Sequence, residues 1–416
     1  MSTTKAAEKK DNKKLTEKEK EKEELKKIIL SRKILPEQNK VTWNDVVGLH
    51  VAKEVLRESV ILPLKQPQLF SGSREPWKGI LLYGPPGTGK TFVAQAIAAE
   101  SGATFFSISA GDLLSKWVGE SEIIVKTMFE VIREEVKPNK PVIVFVDEID
   151  SVLTSRGGEG ESESGRRIKT EFLAQMDGAG NNNDGILMLG ATNTPWDLDQ
   201  AAMRRFQRRV LVDLPDTEGK FQKLKKIYDV PCDVTEEQLQ EIAECFTFLF
   251  SGSDIDSLIK EVNMNPVRKL DTACQFYIDD IGKFNACENF PNCPFCPYNL
   301  LDNPVVYGSK CPFCQAIFIK LIDLPNNSLV EPKITIDDFI SAIKNIKPAS
   351  SELSIAQFNK YNKTNGSYNK EDTLQSIREE EITLGELIPK RPKCDDGSSS
   401  SSSSSGSIFG RLFNFT

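Results

Sequence analysis

Three groups of residues in this chain have the types and spacing that chemistry needs. The first is Gly84-Pro85-Pro86-Gly87-Thr88-Gly89-Lys90-Thr91, set in "GILLYGPPGTGKTFVAQAIAAE", where a buried-type strand turns on glycines and runs into a helix. Glycines let successive backbone N–H groups face one anion, and the N-terminus of the following helix adds favourable potential. This is the P-loop pattern in the context it requires. It predicts a nucleoside triphosphate site in which Lys90 reaches the β- and γ-phosphates and the Thr91 hydroxyl binds Mg2+. A purely structural glycine turn would need neither the strand nor the helix.

The second group is "VIVFVDEID" at 142–150, an apolar strand that delivers Asp147 and then Glu148. Phosphoryl transfer to water needs a charge cradle and an oriented nucleophile. Asp147 is predicted to serve the metal, and Glu148 to act as general base or water-polarising group. Taken by itself, an acidic pair after a strand also suits the cap of the next helix. Beside a P-loop it completes a hydrolytic site.

The third group is Cys293, Cys296, Cys311 and Cys314, two identical Cys-Pro-Phe-Cys boxes separated by fourteen residues. CxxC–x14–CxxC is close to zinc-ribbon spacing, and two such boxes can set four thiolates tetrahedrally around Zn2+. Four thiolates leave no open coordination position, so this zinc would be structural. Four reduced thiols and a redox sensor are the alternatives. The intervening "PYNLLDNPVVYGSK" has a single Lys and no Arg, so no footprint for nucleic-acid phosphates is expected.

Around these groups the composition is that of a globular chain: 39% hydrophobic, 27% charged and net charge −7. The length predicts two or three domains. Nine cysteines with metal-ligand spacing suit a reducing compartment, and the single histidine, His50, leaves the chemistry to carboxylates, lysine, arginine and bound metal. A polar N-terminus and the lack of a long apolar run predict no signal peptide or membrane span. The expected compartment is the cytoplasm.

The chain divides by pattern. Residues 1–40 form a Lys/Glu-rich arm, read as a solvated helix or open segment, with a partner-docking helix as the alternative. Over 41–214, short strands at Gly79–Tyr83, Thr104–Ser107, Val142–Asp147, Gly185–Ala191 and Arg209–Val212 alternate with helices, which implies an α/β sandwich on a mainly parallel sheet. Residues 215–282 read as a helical lid, 283–331 as a Cys-rich insertion, 332–362 as a C-terminal helical segment, and 363–416 as a tail with eight consecutive serines and "IFGRLF" near its end.

The combination of "GPPGTGKT", "DEIDSV", "GATNTPWDLDQAAMRRF" and "FSGSDI" resembles the AAA ATPases. "SKWVGESE", "GRRIKTEFLAQMDG" and "MNPVRKLDTACQF" narrow the resemblance to the clade that holds katanin, spastin, fidgetin and the vacuolar protein sorting ATPases that disassemble ESCRT-III. It spans roughly 41–280 and resumes at 332–360. It implies a P-loop AAA domain with a helical lid, ATP and Mg2+ as ligands, and a ring of six. It implies further that Asn193 positions the attacking water and that Arg204 and Arg205 stabilise the phosphoryl charge on a neighbouring subunit's nucleotide. Gly252 and Ser253 fall where the family contacts the base, and Asp45, Val46, Val47 and Gly48 where it lines the adenine. Lys116, Trp117 and Val118 match a first pore loop that grips extended substrate, and 156–167, with Arg166 and Arg167, a second one. The expected partners are identical subunits and ESCRT-III polymers, with transient, peripheral attachment to endosomal or other membranes.

Three departures stand out. Some forty residues precede the core, too few for the family's three-helix microtubule-interacting-and-trafficking domain, so recruitment through it is not expected. The Cys boxes fall where the family inserts a small β domain that receives a co-activator. The chain also runs beyond the expected last helix. Two other readings compete: microtubule severing of the katanin or spastin type, and a zinc-containing scaffold whose nucleotide only controls assembly.

Overall fold

The computed structural model describes residues 19–367, except 21, 36–37, 39–40, 71, 73, 115–120, 138–140, 155–162, 179–182, 247, 274, 287–307, 309 and 311–314. The described chain separates into two units, one built from residues within 19–216 and 349–367 and the other from residues within 217–348.

The first unit is organised by a six-stranded sheet. Its strands are β1 (Lys33–Ile34), β2 (Gly79–Tyr83), β3 (Thr104–Ser109), β4 (Val142–Asp147), β5 (Ile186–Thr192) and β6 (Arg208–Leu211). They lie in the order β1-β3-β4-β5-β2-β6, with every pairing parallel except β1 against β3. The parallel strands are apolar on both faces because both are covered. Val142, Val144 and Val146 of β4 face one apolar cluster, and Ile143 and Phe145 face the other. The first cluster takes Phe129 from α3 (Ser121–Glu135) and Phe172 from α4 (Glu163–Met176). The second takes Val93, Ala94 and Ile97 from α2 (Lys90–Ser101). The layers are therefore α/β/α, and a period of two along each strand divides its side chains between two cores.

The strands read from sequence are found, with shifts at the ends: β3 runs to Ser109, β5 occupies Ile186–Thr192 and β6 starts at Arg208. The charged arm behaves differently from its bland reading. Residues 22–31 form a helix, α1, that buries Leu25 and Ile29 in the first core cluster. Along it, Lys22 and Lys26 pair with Glu130 and Glu134 of α3 at 2.8 and 3.0 Å. Each exposed pair contributes little, so docking rests on the two apolar side chains, at roughly 1.5–3 kcal/mol apiece. The chain then adds β1 to the edge of β3, which covers backbone groups that would otherwise stay open.

The second unit is a helical body around Leu224, Leu239, Ile255, Leu258, Val262 and Phe339. Its longest helix, α6 (Gly252–Thr272), starts at a capping box in which the Ser251 hydroxyl accepts from the Asp254 N–H and the Asp254 side chain accepts from the Ser251 N–H. Phe339 is carried by α7 (Ile336–Asn345). Within the stretch read as helical, β7 (Gln275–Ile278) instead pairs antiparallel with β8 (Phe284–Ala286) and β9 (Ile317–Phe318), making a three-stranded sheet. At four residues, with Gln275 and Phe276 buried and Tyr277 and Ile278 exposed, it is too short and shows no alternation that would stand out beside a long helix.

The chain finally returns to the first unit as α8 (Glu352–Asn365). Phe358 packs on Trp196 and Tyr361 on Tyr83, with ring centroids 5.1 and 5.2 Å apart. The Tyr83 hydroxyl donates to Asn362 Oδ1 at 2.6 Å. Tyr83 is the last residue before the glycine loop, so α8 braces the strand that presents that loop.

Candidate functional site

Because β2, β4 and β5 are parallel neighbours, the residues that follow them emerge at one edge of the sheet. These are the loop 84–89, Glu148 and Asn193, a set that the sequence distributes over more than a hundred positions. Gly84 has φ +153, and a Cβ there would stand 2.1 Å from the Val212 carbonyl oxygen. Gly89, at φ +90, is the left-handed entry to α2. Between them the Thr88 hydroxyl donates to the Pro85 carbonyl at 3.0 Å, which closes the loop.

Lys90 is the first residue of α2 and is 8% exposed. Its ammonium donates to the carbonyls of Gly84 and Pro85, both at 2.9 Å, so it spans the mouth of the loop. The Thr91 hydroxyl donates to Asp147 Oδ2 at 2.9 Å. A hydroxyl and a carboxylate at hydrogen-bond distance form the hard-oxygen pair that suits Mg2+ beside a phosphate. Asp147 Oδ1 accepts the Glu148 N–H at 3.0 Å, which leaves the Glu148 carboxylate exposed. Glu148 has φ +51, a left-handed conformation that is costly for a side-chain-bearing residue and clusters at functional sites. Asn193 is exposed at the end of β5.

One residue that the sequence reading left without a role belongs to this edge. Asp150 accepts the Thr192 hydroxyl at 2.6 Å, and Ile149 N–H donates to the Ala191 carbonyl at 3.0 Å. The turn carrying Glu148 is thus bonded to the strand carrying Asn193. The signal for it was present as the second aspartate of "DEID", spaced three from the first.

The arginines sit elsewhere. Arg204 and Arg205 end α5 (Gln200–Arg205), just before β6, at the amino end of the sheet. The Arg205 carbonyl abuts Gly79, the first residue of β2, whereas the glycine loop follows its last. With five residue steps from Gly79 to Gly84, and a strand rise near 3.3 Å per residue, the two sites lie roughly 16 Å apart. Arg205 donates to both oxygens of Asp177, at 3.0 and 2.5 Å, and to the Ala201 carbonyl at 2.9 Å. Arg204 is exposed and makes no hydrogen bond or ion pair among the described residues. Both line a cavity of ≈ 410 Å³ with Lys78, Asp177 and Gln207.

Other candidate residues are distributed as follows. The turn Trp43–Asp45 packs against α2, and Val46 is buried in the same core cluster as Val93. Val47 and Gly48 continue from it, and Gly48 has φ +66 beside the Asp216 carboxylate. Gly252 and Ser253 form the first turn of α6, in the second unit. Arg166 and Arg167 lie in the first half of α4, with Arg167 paired to Glu163 at 2.6 Å. Lys116, Trp117 and Val118, and the four box cysteines, lie outside the described residues.

Burial pushes the Lys90 ammonium down to about 8, with Asp147 and Asp150 opposing the shift. The sign follows by linkage. The unfolded chain holds this proton up to the ordinary lysine range near 10.5, so the burial cost is present at neutral pH and is relieved as pH rises from about 8 to 10.5. Bound phosphates favour the charged form, so binding takes up a proton above about pH 8. Nucleotide affinity of the dilute subunit is therefore expected to be level below pH 8 and then to weaken, approaching tenfold per unit. A titration with a fluorescent nucleotide across that range checks it, and an affinity that stays level well above pH 8 would contradict it.

Comparison with known proteins agrees with the geometry. Residues 80–214 match the family model for the ATPase family associated with various cellular activities (AAA), and residues 314–366 match the Vps4 C terminal oligomerisation domain. Rat vacuolar protein sorting-associated protein 4A is 41% identical over 348 residues, which cover 83% of this chain and 76% of the rat protein. Mouse vacuolar protein sorting-associated protein 4B is 44% identical over 330 residues, covering 79% and 70%. The crystal structure of the FIGL-1 AAA domain with ADP superposes with a TM-score of 0.63 at 34% identity, covering 83% of this chain and 98% of that one. A phosphate cradle, an acidic strand end and this extent of similarity lead to one assignment: the chain belongs to the AAA ATPases, in the family of the vacuolar protein sorting-associated protein 4 enzymes.

Proposed function

We propose that this chain is a ring-forming ATPase that uses ATP hydrolysis to pull subunits out of ESCRT-III-type polymers. The observation that carries the ring is the separation of the two halves of the catalytic equipment. Arg204 and Arg205 lie roughly 16 Å along β2 from the subunit's own glycine loop, too far to touch its γ-phosphate. A neighbouring subunit's phosphate is the natural recipient, and similarity over 314–366 to an oligomerisation domain supports the same conclusion.

In this reading the N–H groups of Gly87, Thr88 and Gly89 and the Lys90 ammonium bind the phosphates, Lys90 exchanging its carbonyl partners for phosphate oxygens. Thr91 and Asp147 would hold Mg2+, which when bound neutralises developing charge on the phosphates. Glu148 accepts a proton from the attacking water while Asn193 orients that water. Arg204 and Arg205 of the next subunit meet the charge that grows in the transition state. Val47, Gly48, Gly252 and Ser253 take the base. Lys116, Trp117 and Val118 grip an extended client in the central channel, where a flat apolar ring suits many sequences, and Arg166 and Arg167, helical at the start of α4 and not in a loop, face substrate from the end of the second such stretch. The client chemistry rests on the relatives. The chain works in the cytoplasm and visits endosomal or other membranes through its client; no helix among the described residues is long and apolar enough to cross a bilayer.

Sedimentation of preformed ESCRT-III polymer tests the client. The chain with ATP is expected to move polymer into the supernatant, and Glu148→Gln to leave it in the pellet while still binding ATP. Robust ATP turnover with untouched polymer would overturn the ESCRT-III assignment. Shortening of microtubules in the same assay would move the chain to the severing reading.

Cys293, Cys296, Cys311 and Cys314 are proposed to hold a structural Zn2+ in a module that receives a co-activator. Support comes from the flanks. Lys310 bridges antiparallel to Ile317, and Gly308 N–H donates to the Phe318 carbonyl at 2.7 Å, so the second box is bracketed by a hairpin-length pairing. Metal analysis of the purified full chain is expected to find one zinc per chain and Cys311→Ser to lose it. A metal-free chain of unchanged thermal stability would contradict the site.

A further inference from the structure

Lys169 is 3% exposed at its side chain, in a chain whose other unassigned lysines are mostly at the surface. Two of its ammonium's contacts among the described residues come from different elements. It donates to the Thr154 carbonyl at 2.6 Å and pairs with Asp199 Oδ2 at 3.0 Å. Thr154 closes the short helix Asp150–Leu153 that follows Glu148. Asp199 is the N-cap of α5, and its other oxygen accepts the Ala201 N–H at 2.7 Å. The same two segments meet through the backbone: Asp199 N–H donates to the Leu153 carbonyl at 2.9 Å, and Thr154 bridges to Leu198. Every link from Asp147 through Asp150 and Thr154 to the start of the arginine-bearing helix is therefore bonded.

We propose that Lys169 is a positioning residue for the trans-acting arginine pair: it ties the N-cap of α5 to the turn after the acidic pair and so aims Arg204 at the neighbouring subunit's nucleotide. The proposal rests on the reading that Arg204 and Arg205 act in trans.

The chemistry favours aiming over mere stability. Burying an ammonium and a carboxylate removes two charges from water, and a well-packed apolar pair of similar volume often stabilises a fold as well or better. An apolar pair has no direction. An ammonium with several donors, held by a carbonyl on one side and a carboxylate on the other, fixes the angle at which α5 leaves the core. That helix has only six residues, so its start and its end move together. Its far end is held separately, by Arg205 on Asp177, while Arg204 is left exposed for a partner. Lys169 also stands on α4, which the chain enters from the stretch proposed to meet substrate, so the clamp joins that element to the arginines.

The test uses full-length chains and mixed assemblies. Lys90→Ala supplies subunits that lack a working nucleotide site but keep their arginines. Lys169→Met is expected to lower kcat roughly ten- to a hundredfold, the scale of a small displacement in a catalytic array, with nucleotide affinity of the dilute subunit within about twofold. Mixing Lys169→Met with Lys90→Ala is expected to restore activity above the sum of the two alone, because intact arginines then face intact nucleotide sites. Arg204→Ala serves as the reference and is expected to be restored in the same way. Asp199→Asn keeps a side chain that caps equally well but removes the charge; it carries the same test if Lys169→Met does not fold by thermal melting.

Near-normal turnover by Lys169→Met, or lost turnover that mixing fails to restore while Arg204→Ala is restored, would overturn the proposal and leave the trans arginines standing. If Arg204→Ala keeps its activity or is not restored by mixing, the trans reading fails, and this proposal with it.

Discussion

The parallel sheet sets a distance that governs everything else in this molecule. Strands β2, β4 and β5 deliver the glycine loop, the acidic pair and Asn193 to their carboxyl ends. The connection through α5 delivers Arg204 and Arg205 to the amino end of β6. A parallel ladder cannot bring its two ends together, and five residues of β2 separate them. One subunit therefore holds a cradle without the cations that complete it. It also holds cations with no phosphate of its own. On the proposed reading assembly is a requirement of the chemistry, and the match to an oligomerisation domain over 314–366 fits that reading.

The two ends are nevertheless joined inside the subunit by part-buried polar contacts. Asp147 holds Thr91, Asp150 holds Thr192, and Lys169 holds both Thr154 and Asp199. These bonds are short and partly shielded from water, so each is stronger and less forgiving of displacement than a fully exposed contact. The outer attachments contrast with them. Helix α1 rides on two apolar side chains with a flank of exposed ion pairs, and α8 rests on an aromatic seat behind the glycine loop. Packing holds the frame, whereas directional polar bonds hold the working parts.

The sequence shows the working edge plainly because its determinants are local. A strand, three glycines, a lysine and a threonine must be consecutive to make a phosphate cradle, and an apolar run must end in two acids. The arginine pair was visible only through family resemblance, since nothing in "MRRF" by itself says which nucleotide it faces. Lys169 was invisible: inside "GRRIKTEF" it follows two surface arginines, and its burial depends on Thr154 and Asp199, fifteen and thirty positions away. The docking of residues 22–34 was hidden for a related reason. Leu25 and Ile29 are two apolar residues in a field of Lys and Glu, and only the first core cluster gives them a place to go, while Lys33–Ile34 finds the edge of β3. The strand at Gln275–Ile278 was absorbed into the helical pattern before it.

The central claim is that hydrolysis is shared between subunits, and the most direct measurement is ATPase activity per subunit against protein concentration. The account predicts a specific activity near zero in dilute solution that climbs steeply as subunits associate and then levels off. A specific activity that stays constant down to concentrations where sizing shows only single subunits would contradict it, since an isolated chain would then be completing its own site.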